Sequence, residues 1–509
     1  MQNFKFLFYL LIFIFFSSCI FNSCIDEESF AEGSAVNLKF STDTLSFDTV
    51  FTQMGSITKQ VLVYNNESNT VKLNSVRLGG GVQSFFRLNV DGDTSIIAKD
   101  VEIGAKDSIY IFVKVTVNPA NTNNPFLVSD SIILNFNNKY QTIQLRAYGQ
   151  NAYYHLPTDT LQANLTGTQT TPISFAHNDS SNRGVEHLSA SLLTLKSDKP
   201  HIIVGTYVVD SAYELVIESG TKLHFANNGM LLVYTDGCIK VQGGQNDPVL
   251  FQGIRKDSYY PKTPGQWYGI WLWKGSKENE FENCIIRNAT VGLQADSNIV
   301  SHLNAKLKNV RIENMSTAGI VAQTASIEAE NTIVSNCGKY CLYLVLGGKY
   351  KFTYCTFANY WSEQPSSNAA VCITNYRKID SVILWSPIEQ ADFINTIIYG
   401  SKQNEIQIEK ADGTPDIPYI FHHCLLKTTA LTSQNTSLSG CKLNEEPLFA
   451  DVIENDLSVT LGSAAIGGAD DFYSVLVPND INGNPRTTQT TIGAIEYIPS
   501  NKRAIKSHR

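Results

Sequence analysis

A six-residue phrase that recurs along the middle of the chain constrains the fold most. Its copies occupy residues 283–288, 309–314, 331–336 and 354–359, and each closes on asparagine. The closing asparagines recur at spacings of 26, 22 and 23 residues. Within each phrase small or apolar residues alternate with others, as in a β-strand. A repeat this short cannot bury an apolar face alone, so we expect a solenoid.

Two kinds of solenoid use strands in a repeat of roughly 20–29 residues, the leucine-rich horseshoe and the parallel β-helix. The horseshoe requires a Leu-x-x-Leu-x-Leu frame, which the sequence lacks. In a β-helix, equivalent positions of successive coils lie about 4.8 Å apart, so like side chains stack. This predicts an asparagine ladder through Asn288, Asn314, Asn336 and Asn359. It also predicts surface columns of opposite charge, Glu282–Lys308–Glu330 and Arg287–Glu313.

Segments on either side of the repeats resemble a known group. Residues 215–225, 238–244 and 265–270 resemble the opening coils of right-handed parallel β-helix proteins of the pectate-lyase-like superfamily, found as surface lipoproteins in Bacteroidetes. Residues 457–466, 480–486 and 492–496 resemble that group's closing segment, although Ala464, Gly467 and Thr491 depart from its pattern. The resemblance implies a right-handed parallel β-helix over residues 193–497 with a C-terminal cap. It brings no catalytic motif.

The start of the chain predicts export and a lipid anchor. Residues 6–16 are apolar and follow Lys5, a run too short for a bilayer, which takes about 20 residues. Cys19 and Cys24 each resemble the lipobox cysteine of bacterial lipoproteins. Cys24 is preferred because an acidic cluster follows it, similar to the surface-export signal of Bacteroidetes lipoproteins. We therefore expect a signal peptide at 1–23, a tether at 24–36 and an outer-membrane anchor facing the cell exterior; an ordinary secreted protein is the alternative.

The eight cysteines from Cys238 onward are spread along the chain rather than crowded into a disulfide-rich module. Several share one repeat position, which predicts buried free thiols. Whether Cys337 and Cys341 pair is left open. His422 and His423 are expected to face opposite sides of a strand, so no metal site is predicted. No cofactor is expected either, and the formal net charge of −8 disfavours nucleic acid as a partner.

Residues 37–150 differ from the repeats because they contain long alternating strands and no cysteine. About seven strands predict an immunoglobulin-like (Ig-like) β-sandwich. Residues 63–66, 86–88 and 147–149 resemble Ig-like modules of the abnormal-spindle and hydin type. Residues 151–192 are interpreted as a linker or elaborated loop, and 498–509 as a polar basic tail. The expected fold class is all-β.

Aromatic side chains supply the candidate binding site. Strand alternation in residues 269–273 predicts that Trp271 and Trp273 point outward together. Exposed indoles suit stacking on sugar rings or on a partner surface. The alternative is that residues 254–264 cover them. The full candidate set is Tyr259, Tyr260, Trp267, Trp271 and Trp273.

No catalytic residues are predicted, because paired carboxylates at glycosidase spacing and Ser/His/Asp arrangements are not recognisable. The leading hypothesis is non-catalytic recognition of a polysaccharide or surface protein. The first alternative is a polysaccharide lyase or glycoside hydrolase with an unrecognised site. The second is a structural or adhesin-type spacer.

Overall fold

The computed structural model describes residues 29–119, 125–157, 159–161, 183–226, 229–255, 260–296, 302–487 and 489–499. The predicted signal peptide, Cys19, Cys24 and most of the basic tail lie outside these residues. The described chain contains strands and two short 3-10 turns, Gly81–Gln83 and Asp471–Ser474. Within it, no helix is long and apolar enough to cross a membrane. The chain divides into two units between Asn151 and Ala152.

The first unit is a two-layer β-structure. Its strands are β1 Lys39–Phe40, β2 Thr44–Phe51, β3 Lys59–Tyr64, β4 Val71–Leu78, β5 Phe86–Val90, β6 Ile97–Ile103, β7 Ser108–Val115, β8 Phe126–Phe136 and β9 Lys139–Gln150. One sheet has the order β1-β3-β7-β5 and the other β2-β9-β8-β4-β6. Alternate residues of each strand enter a shared core, which is compatible with the expected Ig-like sandwich.

The expected tether at 24–36 is too long at its C-terminal end. The backbone amide of Ala31 donates a 2.7 Å hydrogen bond to the Thr70 carbonyl. Ala31 and Val36 are buried in the core of the first unit. These residues therefore belong to the packed unit, because their apolar side chains complete its core.

The second unit begins with β10 Tyr153–His155, β11 Asp159–Leu161, β12 Arg183–His187, β13 Leu192–Leu195, β14 His201–Ile203, β15 Thr206–Val209, β16 Glu214–Ile217, β17 Lys222–Phe225, β18 Met230–Val233, β19 Cys238–Gln242, β20 Val249–Gly253, β21 Gly269–Leu272, β22 Asn279–Arg287, β23 Val291–Asp296, β24 Ala305–Met315 and β25 Ala318–Glu330. It continues with β26 Ile333–Cys337, β27 Tyr340–Thr353, β28 Thr356–Asn359, β29 Val371–Thr374, β30 Tyr376–Ile379, β31 Val382–Trp385, β32 Ile388–Ile394, β33 Ile397–Gly400, β34 Ile406–Glu409, β35 Ile420–His422, β36 Leu425–Leu426, β37 Leu438–Ser439, β38 Lys442–Leu443, β39 Phe449–Asp451 and β40 Asp456–Val459.

Parallel pairing arranges most of these strands as three columns, which we name sheets A, B and C. The exceptions pair antiparallel: β11 with β12, β30 with β31, and β39 with β40. Sheet A contains β13, β16, β19, the first parts of β22 and β24, the second parts of β25 and β27, and β32, β35 and β37. Sheet B contains β10, β14, β17, β20, the second parts of β22 and β24, and β26, β28, β33, β36 and β38. Sheet C contains β12, β15, β18, β21, β23, the first parts of β25 and β27, β29 and β34. Successive coils visit A, B and C in turn, so the predicted solenoid is confirmed.

The interior of the solenoid is one continuous apolar core. Phe352, Phe393 and Phe421 stack in adjacent coils with ring centroids 5.1 and 5.0 Å apart. Cys284, Cys355 and Cys424 are buried in the same core, as their shared repeat position predicted. All eight cysteines from Cys238 onward are free thiols, including Cys337 and Cys341.

Asparagines form ladders at the corners of the coils, but the more continuous ladder is not the predicted one. In the predicted column, the amide of Asn336 donates to Asn314 at 2.7 Å, whereas that of Asn359 donates to the Cys337 carbonyl. The first asparagines of the phrases form an unbroken ladder, with Asn331 donating to Asn309 and Asn309 to Asn283, each at 3.0 Å. These ladder residues have φ of 47–56°, a left-handed conformation that asparagine tolerates.

Two boundaries differ from the expectation. β10 and β12 pair in parallel with β14 and β15, so parts of the expected linker at 151–192 belong to the solenoid. Residues 446–497, which we name the closing segment, pack along the outer face of sheet B rather than over the end of the coils. The outer face of sheet B is apolar at Ile333, Ile397 and Leu425, and this explains why it requires a cover.

Candidate functional site

The outer face of sheet A is a set of paired surface charges. Opposite charges alternate in successive coils through Lys240, Glu280, Lys306, Glu328, Lys351 and Asp392. The predicted column Glu282–Lys308–Glu330 is confirmed by the register, with Lys308 Nζ 3.0 Å from Glu282. Exposed pairs of this kind contribute about 0–1 kcal/mol each.

The outer face of sheet C differs from that of sheet A. Its side chains point away from the core of the solenoid, yet most of them are buried. One column runs through Val208, Leu232, Trp271, Gln294, Val321, Tyr343, Cys372 and Gln407. The next outward column runs through Asp296, Gln323, Val345, Thr374 and Glu409. The face therefore changes from apolar to polar along the solenoid. We take it as the candidate binding face.

Two of the predicted aromatic binding residues are too deeply buried to contact a ligand. Trp267 is 1% exposed and stacks on Phe225 inside the coils, with ring centroids 3.9 Å apart. Its indole N–H donates to the Arg287 carbonyl at 2.9 Å. Trp273 points outward as predicted, but it is only 7% exposed because it packs with other apolar side chains of sheet C. Neither residue forms an exposed platform.

The other predicted aromatics are less deeply placed. Trp271 is half-buried, and its ring lies 4.9 Å from that of Trp273 at an angle of 60°. Tyr260 is also half-buried, with the Arg255 guanidinium 3.3 Å from its ring centroid. Tyr259 lies outside the described residues. Of the predicted set, Trp271 is the residue that joins the polar part of the face.

Trp271 leads to a buried carboxylate that the sequence analysis missed. The indole N–H of Trp271 donates to Asp296 at 2.8 Å, and the amide of Gln294 donates to the same carboxylate at 3.1 Å. Asp296 is 6% exposed. Burial raises its pKa to about 6, against the opposing effects of Trp271, Gln294 and the positive charge of Arg377. A buried acid with a raised pKa is a frequent mark of a functional site. Its signal in the sequence is its position in the next coil, two residues after Gln294, which is the register partner of Trp271.

A β-hairpin brings Arg377 to this face. The hairpin consists of β30 and β31 and leaves the coil after β29. The guanidinium of Arg377 lies 3.4 Å from the Gln323 side-chain oxygen, in the same outward column as Asp296. Leu384 of the hairpin packs against Val345 and Leu346. The hairpin is therefore held on sheet C by apolar contacts and supplies the cation opposite the buried acid.

The hairpin also carries an exposed tryptophan that the sequence analysis did not select. Trp385 is 51% exposed and is the cross-strand partner of Tyr376. The hydroxyl of Tyr376 donates to Glu409 at 3.1 Å. Tyr340 and Tyr343 stack nearby on the sheet with ring centroids 4.7 Å apart. Aromatic surface thus continues from sheet C onto the hairpin.

Comparison with known proteins supports the architecture. The family described as right handed beta helix region matches residues 221–382. No curated protein matches the chain. A solved family 123 glycoside hydrolase from Clostridium perfringens is similar at 7% identity and a TM-score of 0.17, over 23% of this chain and 30% of that one. So limited a likeness carries no argument about activity. The family match and the three parallel sheets together identify the second unit as a right-handed parallel β-helix.

Proposed function

We propose that this protein is a cell-surface lipoprotein that recognises a glycan through the outer face of sheet C without chemically changing it. The observation that carries the proposal is the meeting of aromatic rings with hydrogen-bonded polar groups on one face. Trp385 offers an exposed ring, and Trp271 lies half-buried beside the Asp296 carboxylate.

The chemistry of such a face suits a sugar. Aromatic rings contact the apolar faces of pyranose rings, and side-chain amides, carboxylates and guanidinium groups bond to hydroxyls. Gln323, Arg377 and Glu409 supply the second kind of contact. Because Arg377 donates to Gln323 and Tyr376 donates to Glu409, these groups are held in place before a ligand arrives. Such preorganisation lowers the entropic cost of binding.

The spacing of carboxylates disfavours a glycosidase. In the column of Asp296, Glu409 is four strands away, which corresponds to about 19 Å at the usual strand spacing. Asp210 follows Val209, whose register leads in three strands to Ala295, so Asp210 lies about 14 Å from Asp296. Retaining and inverting glycosidases place their two carboxyl groups about 5–9.5 Å apart. Neither partner meets that requirement.

A lyase is the second candidate, since one observation favours it. Asp296, with its pKa raised to about 6, faces the positive charge of Arg377. An acid that titrates near neutrality next to a cation suits proton transfer at a sugar ring. This candidate predicts unsaturated, ultraviolet-absorbing products from acidic polysaccharides, and their formation by the purified protein must stop in Asp296→Asn.

Binding to a panel of immobilised neutral and acidic polysaccharides tests the leading proposal. We expect the native protein to be retained and Trp385→Ala to lose most of that retention, because exposed aromatic anchors carry a large share of affinity. Tyr140→Ala is the matched control, since Tyr140 is 66% exposed on the first unit. Equal retention of both variants would move the site away from sheet C. Failure of the native protein to bind any polysaccharide would favour a surface-protein partner or a spacer.

The proposed lipid anchor and cell-surface location are tested separately. Metabolic labelling with a fatty acid should mark the native protein, and labelling should disappear in Cys24→Ala. Labelling that persists in this variant would place the lipid on Cys19. Cleavage by protease added to intact cells would support an outward-facing anchor.

A further inference from the structure

Two consecutive histidines point to the same side of the coil at the corner between sheets A and B. His423 has φ of 51° and takes the corner position that asparagine occupies in earlier coils. A left-handed residue turns the chain, so the alternation of a straight strand is interrupted there. The expectation that His422 and His423 face opposite sides is therefore wrong. Their ring centroids are 4.7 Å apart.

The closing segment adds a carboxylate at this corner. Two hydrogen bonds join the backbone of Asp470 to the side chain of Asn395. The backbone amide of Asp470 donates to the Asn395 side-chain oxygen at 2.8 Å, and the Asn395 side-chain amide donates to the Asp470 carbonyl at 3.0 Å. One carboxylate oxygen accepts from the backbone amide of Phe472 at 3.0 Å. The other oxygen lies 2.7 Å from Nε2 of His422. The backbone of Asp470 is thus fixed with one oxygen aimed at the histidines.

We propose that His422, His423 and Asp470 bind a divalent transition-metal ion of the Zn²⁺ class. Their donor atoms all lie within 4.8 Å of one another. A tetrahedral zinc site, with bonds of about 2.0–2.1 Å, requires donors about 3.3 Å apart. Two imidazoles and a carboxylate suit this ion better than Ca²⁺ or Mg²⁺, which take oxygen ligands.

The surroundings allow the rearrangement that such a site requires, in which His422 Nε2 and Asp470 separate from 2.7 Å and the donors that lie up to 4.8 Å apart approach one another. The side chains of His422 and Asp470 are 26% and 29% exposed, so they have room to move and solvent access for an ion. The Gly468 carbonyl oxygen lies 3.1 Å from Nδ1 of His423. Either this oxygen or a water molecule completes the four ligands of the ion. A bound ion joins a coil to the closing segment, and it therefore strengthens a contact between residues far apart in the chain.

Titration with Zn²⁺ by calorimetry, and with Co²⁺ by visible absorption, tests the site. The native protein should bind one ion and give the intense Co²⁺ absorption of a tetrahedral site. His423→Asn should lose at least about tenfold in affinity, since even the loss of outer contacts costs 10–100-fold at metal sites. This variant should fold, because asparagine has the same corner position in Asn283, Asn309, Asn331 and Asn395. Asp470→Asn should lose a similar factor.

His187→Asn is the matched control. His187 also lies 2.9 Å from a carboxylate, that of Asp210, and among the described residues it belongs to no cluster with a second histidine. This variant should bind the ion as the native protein does. No binding by the native protein, or binding unchanged in His423→Asn, would overturn the proposal. If Asp470→Asn does not fold, His423→Asn decides alone.

Discussion

The outer faces of sheets A and C use polar residues in opposite ways. On sheet A, Lys308 and Glu282 are about half exposed, and each charge faces an opposite charge in the next coil. On sheet C, Asp296 is almost fully buried and accepts hydrogen bonds from Trp271 and Gln294. Burying a carboxylate destabilises a fold unless it is fully compensated. Sheet A is thus arranged for solubility and register, whereas sheet C keeps a buried carboxyl group whose charged form is disfavoured by burial.

Truncation of Trp273 tests whether the outer face of sheet C is packed rather than open to solvent. Trp273→Ala should lower the free energy of unfolding by about 3–5 kcal/mol, because it opens a cavity in a packed cluster. Glu280→Ala on sheet A is the control and should change it by less than about 1 kcal/mol. Chemical denaturation of both variants gives the comparison. A loss below 1 kcal/mol for Trp273→Ala would mean that this part of sheet C is open surface.

The titration of Asp296 tests whether the buried acid opposes folding. Its pKa is about 6 in the folded protein against an ordinary value of 3.8, so the folded state keeps this proton to higher pH. The free energy of unfolding should therefore fall as pH rises from about 4 to about 6. The loss of unfolding free energy amounts to about 3 kcal/mol for a pKa shift of about two units.

Asp296→Asn removes this titration and serves as the reference. Its unfolding free energy should lack the decline between pH 4 and 6 that the native protein shows. The comparison of slopes is preferable to one pH value, since asparagine changes the bonds to Trp271 and Gln294. Parallel pH profiles for the two proteins would show that Asp296 is ionised without cost.

The charge column on sheet A should give the smallest effect. A double-mutant cycle on Glu282→Ala and Lys308→Ala should yield a coupling of about 0.2–1 kcal/mol that falls with added salt. Glu282 and Lys308 lie on adjacent strands with their charged atoms 3.0 Å apart. A coupling above 2 kcal/mol would require sheet A to be treated as a stabilising network rather than a solvated surface.

The sequence predicted the coils well and the binding face poorly, for physical reasons. Strand alternation and repeat spacing act between neighbouring residues and coils, so the register of Glu282 with Lys308 followed directly. Burial on the outer face depends on segments distant in the chain. The exposure of Trp273 was misjudged because strand alternation predicts which way a side chain points but not which other residues cover it. Asp296 and Trp385 were missed because their environments depend on stacking and on a hairpin that interrupts the repeat.

The closing segment has a consequence for how the chain folds. Stacked coils alone contact only their neighbours, so they can form one after another as they are synthesised. The closing segment instead bonds to coils far back in the chain: Gln245 donates to the Ile481 carbonyl, Arg311 to Asn482 and Arg486 to Asn331. Loops of this length slow folding, because their closure entropy is lost before the contacts form. The coils that carry Ile333, Ile397 and Leu425 therefore keep these apolar side chains uncovered until residues 446–497 have been synthesised, a period in which a chaperone would protect them from aggregation.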